Sequence, residues 1–173
     1  MKIAVLIANG SEEIETITPI DVLRRAQTTC VVSSVNEIMV ECSHGVTVKA
    51  DCLVEDLVAD DLDGIVIPGG MPGANNIASN QKAIELIKQL NSQGKMVSAI
   101  CASPAVVLER CGITDNKKIT CFPASQFIEM LKNANYTGND VEVDGNIITA
   151  NGPKSALKFA EKICEYLGVK PQI

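Results

Sequence analysis

Apolar positions fall along this chain in short blocks, and the period of the blocks switches repeatedly between strand and helix. Lys2–Ala8 is a continuous apolar run of strand length, stopped by the Asn9-Gly10 turn. Glu15–Ala26 then carries Ile14, Ile17, Ile20, Val22 and Leu23 at helical spacing, which predicts a helix with an apolar side. Val31–Ser34 reads as a second strand, and Met39–Cys42 with Val46–Lys49 as a hairpin around Ser43-His44-Gly45. Gly64–Ile67 is a buried strand ended by Pro68-Gly69-Gly70, Gln81–Asn91 a helix, and Met96–Ile100 a further strand. A helix over Ser103–Glu109, a short strand at Lys118–Thr120 and a helix over Ser125–Lys132 follow. Val141–Val143 and Ile147–Ala150 flank the turn signal Asp144-Gly145, and Ala156–Leu167 is a closing helix.

Alternating strands and helices predict an α/β fold, a mostly parallel sheet with helices on both faces, in a single domain over residues 1–173. Ligands in such folds gather at the carboxyl ends of the strands. Three segments are expected there: Asn9–Glu15, Pro68–Asn76 and Cys101–Pro104.

Composition narrows the partners. Aromatic residues make up 3% of the chain and Trp is absent, so the core must be aliphatic. A net charge of −6 is the wrong sign for a nucleic-acid footprint, which needs clustered Lys and Arg. No segment approaches the roughly 20 apolar residues of a membrane span. The opening MKIAVLIANG reads as a strand rather than a signal peptide, and the expected compartment is the cytosol. Seven cysteines at irregular spacing, without a C-x-x-C, support neither a disulfide framework nor a zinc ribbon.

One of those cysteines has distinctive surroundings. Ser98-Ala99-Ile100-Cys101-Ala102-Ser103-Pro104 sets Cys101 between an apolar strand and a helix, with small neighbours that permit a tight elbow. At a helix N-terminus a thiol meets free N–H groups and the positive end of the dipole, which favour thiolate. An inert buried thiol is the ordinary alternative. Glycines after a buried strand expose backbone N–H groups, so those of Gly70 and Ala102 are candidate oxyanion donors. Glu12 and Glu13 suit a helix start for dipole reasons, whereas Glu15, between Ile14 and Ile17, is expected to be buried. A carboxyl buried beside a thiol must share a proton with it, and can donate to the thiolate or act as a base. No Gly-Lys-Ser/Thr and no G-x-G-x-x-G occurs, so neither nucleotide nor dinucleotide cofactors are expected.

Together these residues resemble the DJ-one/PfpI superfamily, and within it the DJ-one branch of Parkinsonism-associated deglycases and cofactor-independent glyoxalases. The marks are Gly10-Ser11-Glu12-Glu13-Ile14-Glu15-Thr16, Pro19-Ile20-Asp21-Val22-Leu23-Arg24-Arg25-Ala26, Pro68-Gly69-Gly70, Ala99-Ile100-Cys101-Ala102 and Gly152-Pro153, in that order. The resemblance implies a flavodoxin-like three-layer sandwich, a reactive Cys101, a partner carboxyl at Glu15, oxyanion donors at Gly70 and Ala102, and no cofactor or metal. It implies a homodimer with Asp21, Arg24 and Arg25 near the interface. It also implies activity on α-oxoaldehydes or glycated proteins, or a redox-sensing chaperone role in which the cysteine becomes sulfinate during oxidative stress.

Two departures from the family pattern stand out. Cys121-Phe122-Pro123 has Phe122 where a histidine is common, which removes a Cys–His dyad at that place and counts against amidase or protease chemistry, since either would need another base. The one histidine, His44, lies in the hairpin turn where an arginine is frequent, and is expected to be solvated. Cys42 is a candidate secondary oxidisable thiol, Cys121 a core residue, and Cys42, His44 and Cys121 an incomplete metal set.

Overall fold

A computed structural model of the chain describes residues 1–172. Its centre is a seven-stranded sheet of β1 (Lys2–Ile7), β2 (Thr29–Ser34), β5 (Cys52–Leu53), β6 (Gly64–Ile67), β7 (Met96–Ile100), β10 (Val141–Asp144) and β11 (Ile147–Ala150). The strand order is β10-β11-β7-β6-β1-β2-β5, and all pairings are parallel except that of β10 with β11. The predicted hairpin forms a separate two-stranded sheet of β3 (Met39–Glu41) and β4 (Thr47–Lys49).

Strand β1 shows how sequence becomes layers. Ile3, Val5 and Ile7 point into one apolar cluster and Ala4 and Leu6 into the other, as period-2 geometry requires. Ile3, Val5 and Ile7 share their cluster with α1 (Glu13–Arg25) and α6 (Ala156–Leu167), which also pack on each other. The opposite face is covered by α2 (Gly73–Ser79) and α3 (Gln81–Ser92), and by the π-helical turn Pro104–Leu108 that runs into α4 (Glu109–Cys111). The result is the α/β sandwich expected from the alternating pattern, and it is flavodoxin-like, as the resemblance implies.

Several details differ from the sequence reading. Helix α1 begins at Glu13 because the Glu12 side chain caps it, accepting from the Glu15 N–H. Ile14 and Ile17 are exposed at 51% and 43%, and the buried side of α1 is instead Glu15, Thr16, Pro19, Ile20, Val22 and Leu23. Helix α2 sits where a loop was expected. The segment expected to be helical over Ser125–Lys132 narrows to α5 (Ser125–Ile128), and β8 (Lys118–Ile119) gains an unforeseen parallel partner in β9 (Asn135–Tyr136).

Topology also places the site. From β1 the chain runs to β2 and β5 on one side, then crosses to β6, β7 and β11 on the other. The switch point therefore lies between β1 and β6, and the loops leaving the carboxyl ends of β1, β6 and β7 meet there.

Candidate active site

The first component is a backbone elbow. Strand β7 ends at Ile100, and Cys101 takes the left-handed conformation, with φ of 64°. Such a φ costs an L-residue about 1–2 kcal/mol, so the surroundings must hold it. Its N–H donates to the Ala150 carbonyl at 2.9 Å, and its own carbonyl accepts from the Phe122 N–H at 2.8 Å. The Ser103 hydroxyl donates to the Pro68 carbonyl at 2.6 Å, locking the elbow to the β6 loop.

The second component is that loop, Pro68-Gly69-Gly70. A Cβ on Gly69 would lie 2.6 Å from the Cβ of Cys101 and 2.7 Å from Oε2 of Glu15. At Gly70, where φ is 87°, it would lie 2.4 Å from the Gly10 carbonyl oxygen. Hydrogen is the largest substituent either position accepts, which is why the loop can slide between the first loop and the elbow. The N–H groups of Ala102 and Gly70 are placed to favour the thiolate of Cys101.

Glu15 completes the group. It is 0% exposed, its Oε2 accepts from the Gly69 N–H at 2.8 Å, and its carboxyl faces the Cys101 sulfur. Oε1 has no nitrogen or oxygen partner among the described residues. Burial pushes Glu15 up from 4.5 to about 7, against the opposing pull of the Gly69 N–H and the Cys101 contact. Burial, then the charge and hydrogen bond of the Glu15 carboxylate, push the Cys101 thiol up to about 12, while the Ala102 and Gly70 N–H groups pull it down. The thiolate-favouring influence expected of a helix start is thus outweighed, first by burial and then by the Glu15 carboxylate. Two acids this close hold at most one negative charge between them near neutral pH, and the shared proton decides which of the two is reactive.

The chain and its fold are matched by known proteins. Residues 1–166 match the DJ-1/PfpI family. The chain belongs to that family. It is 41% identical over 165 residues to Protein DJ-1 homolog B of Arabidopsis thaliana, covering 95% of this chain and 37% of that protein. It is 35% identical over 171 residues to Protein dj-1beta of Drosophila melanogaster, covering 98% and 90%. Among solved structures, oxidized Toxoplasma gondii DJ-1 superposes with a TM-score of 0.90 at 41% identity, covering 96% of this chain and 90% of that one. The chain spans about two fifths of the length of the two Arabidopsis relatives it matches.

All four residues singled out in the sequence, Cys101, Glu15, Gly70 and Ala102, converge within this family fold. Three contributors were missed. Gly69 donates to the Glu15 carboxyl, Ser103 braces the elbow, and Glu12 fixes the start of α1 while its N–H donates to the Gly69 carbonyl at 3.0 Å. Pro68-Gly69-Gly70 carried the first signal. The other two depend on side chains reaching across the chain, which spacing does not reveal.

His44 is exposed, as expected, yet engaged: its Nδ1 lies 2.9 Å from Oε2 of Glu13, and its N–H donates to Oε1. Against the push of burial, hydrogen bonds from the His44 ring and from backbone N–H groups hold Glu13 at about 2. The Glu13 contact in turn raises His44 above its ordinary value. Cys42 and Cys121 are buried, and all seven cysteines are free thiols. Among the described residues Cys42, His44 and Cys121 do not converge; Glu12, Glu13 and His44 do, with ligand atoms within 4.8 Å, but they already satisfy one another or cap α1.

Proposed function

We propose that the chain is a cofactor-independent glyoxalase of the deglycase type, acting on methylglyoxal and related α-oxoaldehydes or on the early adducts they form with proteins. The observation that carries this reading is the contact of a buried carboxyl of pKa about 7 with an elbow cysteine flanked by two backbone donors. A general base of that strength is matched to neutral pH.

Glu15 takes the thiol proton as the Cys101 sulfur forms a bond to the aldehyde carbon, and the aldehyde C=O opens to an oxyanion. Gly70 and Ala102, whose N–H groups surround the sulfur, take up that oxyanion, and the Glu15 proton neutralises it to a hemithioacetal. The Glu15 carboxylate then removes the hydrogen from the same carbon, giving an enediolate, and returns it to the neighbouring carbon while the hydroxyl proton passes from the first oxygen to the second. The first carbon is oxidised and the second reduced, so no external electron acceptor enters. Water cleaves the resulting thioester, releasing lactate and the free thiol. No step requires a histidine, which suits Phe122.

Lactate formation from methylglyoxal is the direct test, with wild type, Cys101→Ser and Glu15→Ala compared side by side. Lactate from wild type and none from either variant is expected. Equal rates in wild type and Cys101→Ser rule the reading out.

The second reading is a redox sensor with chaperone activity, favoured by the orphaned Oε1 of Glu15 and by the oxidized state of the Toxoplasma relative. A sulfinate on Cys101 would give the protonated carboxyl an acceptor. Mass spectrometry after mild peroxide discriminates: selective sulfinate at Cys101 with negligible turnover selects the sensor. In either role we assign a cytosolic homodimer. Its face is α1 with α6, where Ile14, Ile17 and Leu157 are exposed beside the Asp21–Arg25 ion pair of 2.8 Å. Light scattering that returns the monomer mass refutes that assignment.

A further inference from the structure

Phe122 is 40% exposed, although a phenyl ring gains by burial. Its ring is nonetheless fixed. Phe127 meets it edge-on, with centroids 6.4 Å apart and planes at 85°, and a Cβ on Gly152 would come within 3.3 Å of it. The ring forms one wall of a cleft of about 490 Å³, shared with Pro123, Asn151, Gly152, Pro153 and Ser155. That volume falls within the roughly 300–1,000 Å³ usual for small-molecule sites.

Both walls hang from the elbow. The Phe122 N–H donates to the Cys101 carbonyl, and Asn151 directly follows Ala150, whose carbonyl accepts the Cys101 N–H. The polar groups of the cleft are largely occupied with one another. Ser155 donates to Asn151 at 2.6 Å, Asn151 to Asp140 at 3.3 Å, and Lys158 to Asp140 at 3.1 Å. What remains to hold a ligand is mainly apolar, the face of Phe122 and the rings of Pro123 and Pro153, with the exposed Lys154 beside them.

We propose that this cleft seats an aromatic substituent carried by the α-oxoaldehyde, so that arylglyoxals are the favoured substrate class and Phe122 determines the specificity. The inference rests on the glyoxalase reading. The chemistry at Cys101 is unchanged: the aldehyde carbon still bonds to sulfur, and water still releases an α-hydroxy acid, mandelate in place of lactate when the substrate is phenylglyoxal. The ring of the substrate lies against Phe122, an arrangement in which aromatic pairs gain beyond simple area burial.

The test compares kcat/KM for phenylglyoxal and methylglyoxal in wild type, Phe122→Ala and Phe122→Tyr. Wild type is expected to favour phenylglyoxal by about ten-fold or more, Phe122→Ala to lose about ten-fold of that ratio through KM, and Phe122→Tyr to restore it. A binding readout runs in parallel: mandelate added to Cys101→Ser protein should shift the amide resonances of Phe122 and Gly152, and should not do so when Phe122→Ala is added. Lactate formation with the same substrate ratio in all three proteins overturns the inference and leaves the glyoxalase reading standing. If neither acid forms, the glyoxalase reading falls, and the substrate assignment with it. Mandelate that leaves the Phe122 and Gly152 resonances in place overturns the seat.

Discussion

Burying a carboxyl that must remain able to ionise has a stability cost that depends on pH, and Glu15 allows that cost to be measured. Its pKa is about 7 in the folded chain against an ordinary 4.5. The folded state therefore holds the proton over a range in which the unfolded state has already released it. Where the unfolded state binds fewer protons, stability falls as pH rises. The contribution of Glu15 is thus fully present below about pH 4.5, declines through the window from 4.5 to about 7, and is gone above it. At about 1.36 kcal/mol per ten-fold change in proton affinity, the displacement amounts to about 3 kcal/mol. Glu15→Gln removes the ionisation while keeping the shape and an oxygen for the Gly69 N–H. The variant is expected to match wild type near pH 4.5 and to become more stable by about 3 kcal/mol at pH 8, or about 6–12 °C in Tm for a chain of this size. It should form no lactate at any pH. Denaturant titrations of both proteins at half-unit intervals from pH 4.5 to 8, under reducing conditions, give the difference directly. Parallel stability curves across that window would refute the reasoning, because they would mean that Glu15 ionises as freely in the fold as in water.

Further expectations are narrower. Gly69→Ala should lower stability by about 1–3 kcal/mol through overpacking between Cys101 and Glu15, more than Gly94→Ala, which has open space and a left-handed backbone only; paired thermal melts decide the order. Glu12→Ala should cost about 1 kcal/mol as a lost cap on α1, and a melt indistinguishable from wild type would remove Glu12 from that role. Glu13→Gln should return the His44 titration, followed by ring-proton NMR, downward toward its ordinary value, and an unmoved midpoint would show that Glu13 does not hold the ring.

The periodicity of the sequence carried the main layers, because buried parallel strands are continuous aliphatic runs and turns are marked by glycine. It failed where tertiary contacts decide. Gly73-Ala74-Asn75-Asn76 has weak helical preference, and α2 forms there because Ala74 and Ile77 pack into the core. The pairing of β8 with β9 joins segments too short to leave a pattern. Glu15 was correctly expected to be buried, but for the wrong reason. Ile14 and Ile17 face outward, and Glu15 lies on the side that carries Pro19 and Val22, four and seven positions along the helix. The convergence of Cys101, Glu15, Gly70 and Ala102 was legible as strand-end geometry. Gly69 was legible only as part of a turn, since its role depends on what two distant side chains occupy.

The left-handed backbone at Cys101 also bears on how such a chain could change over generations. Glycine adopts that conformation without penalty, so exchanging the cysteine for glycine would release about 1–2 kcal/mol of strain while leaving the fold in place. A β-branched residue could not follow, because its side chain is excluded from that region of conformation. The position therefore ties the thiol to its backbone: a cysteine there is held at a cost of about 1–2 kcal/mol of strain, which the surrounding hydrogen bonds must offset.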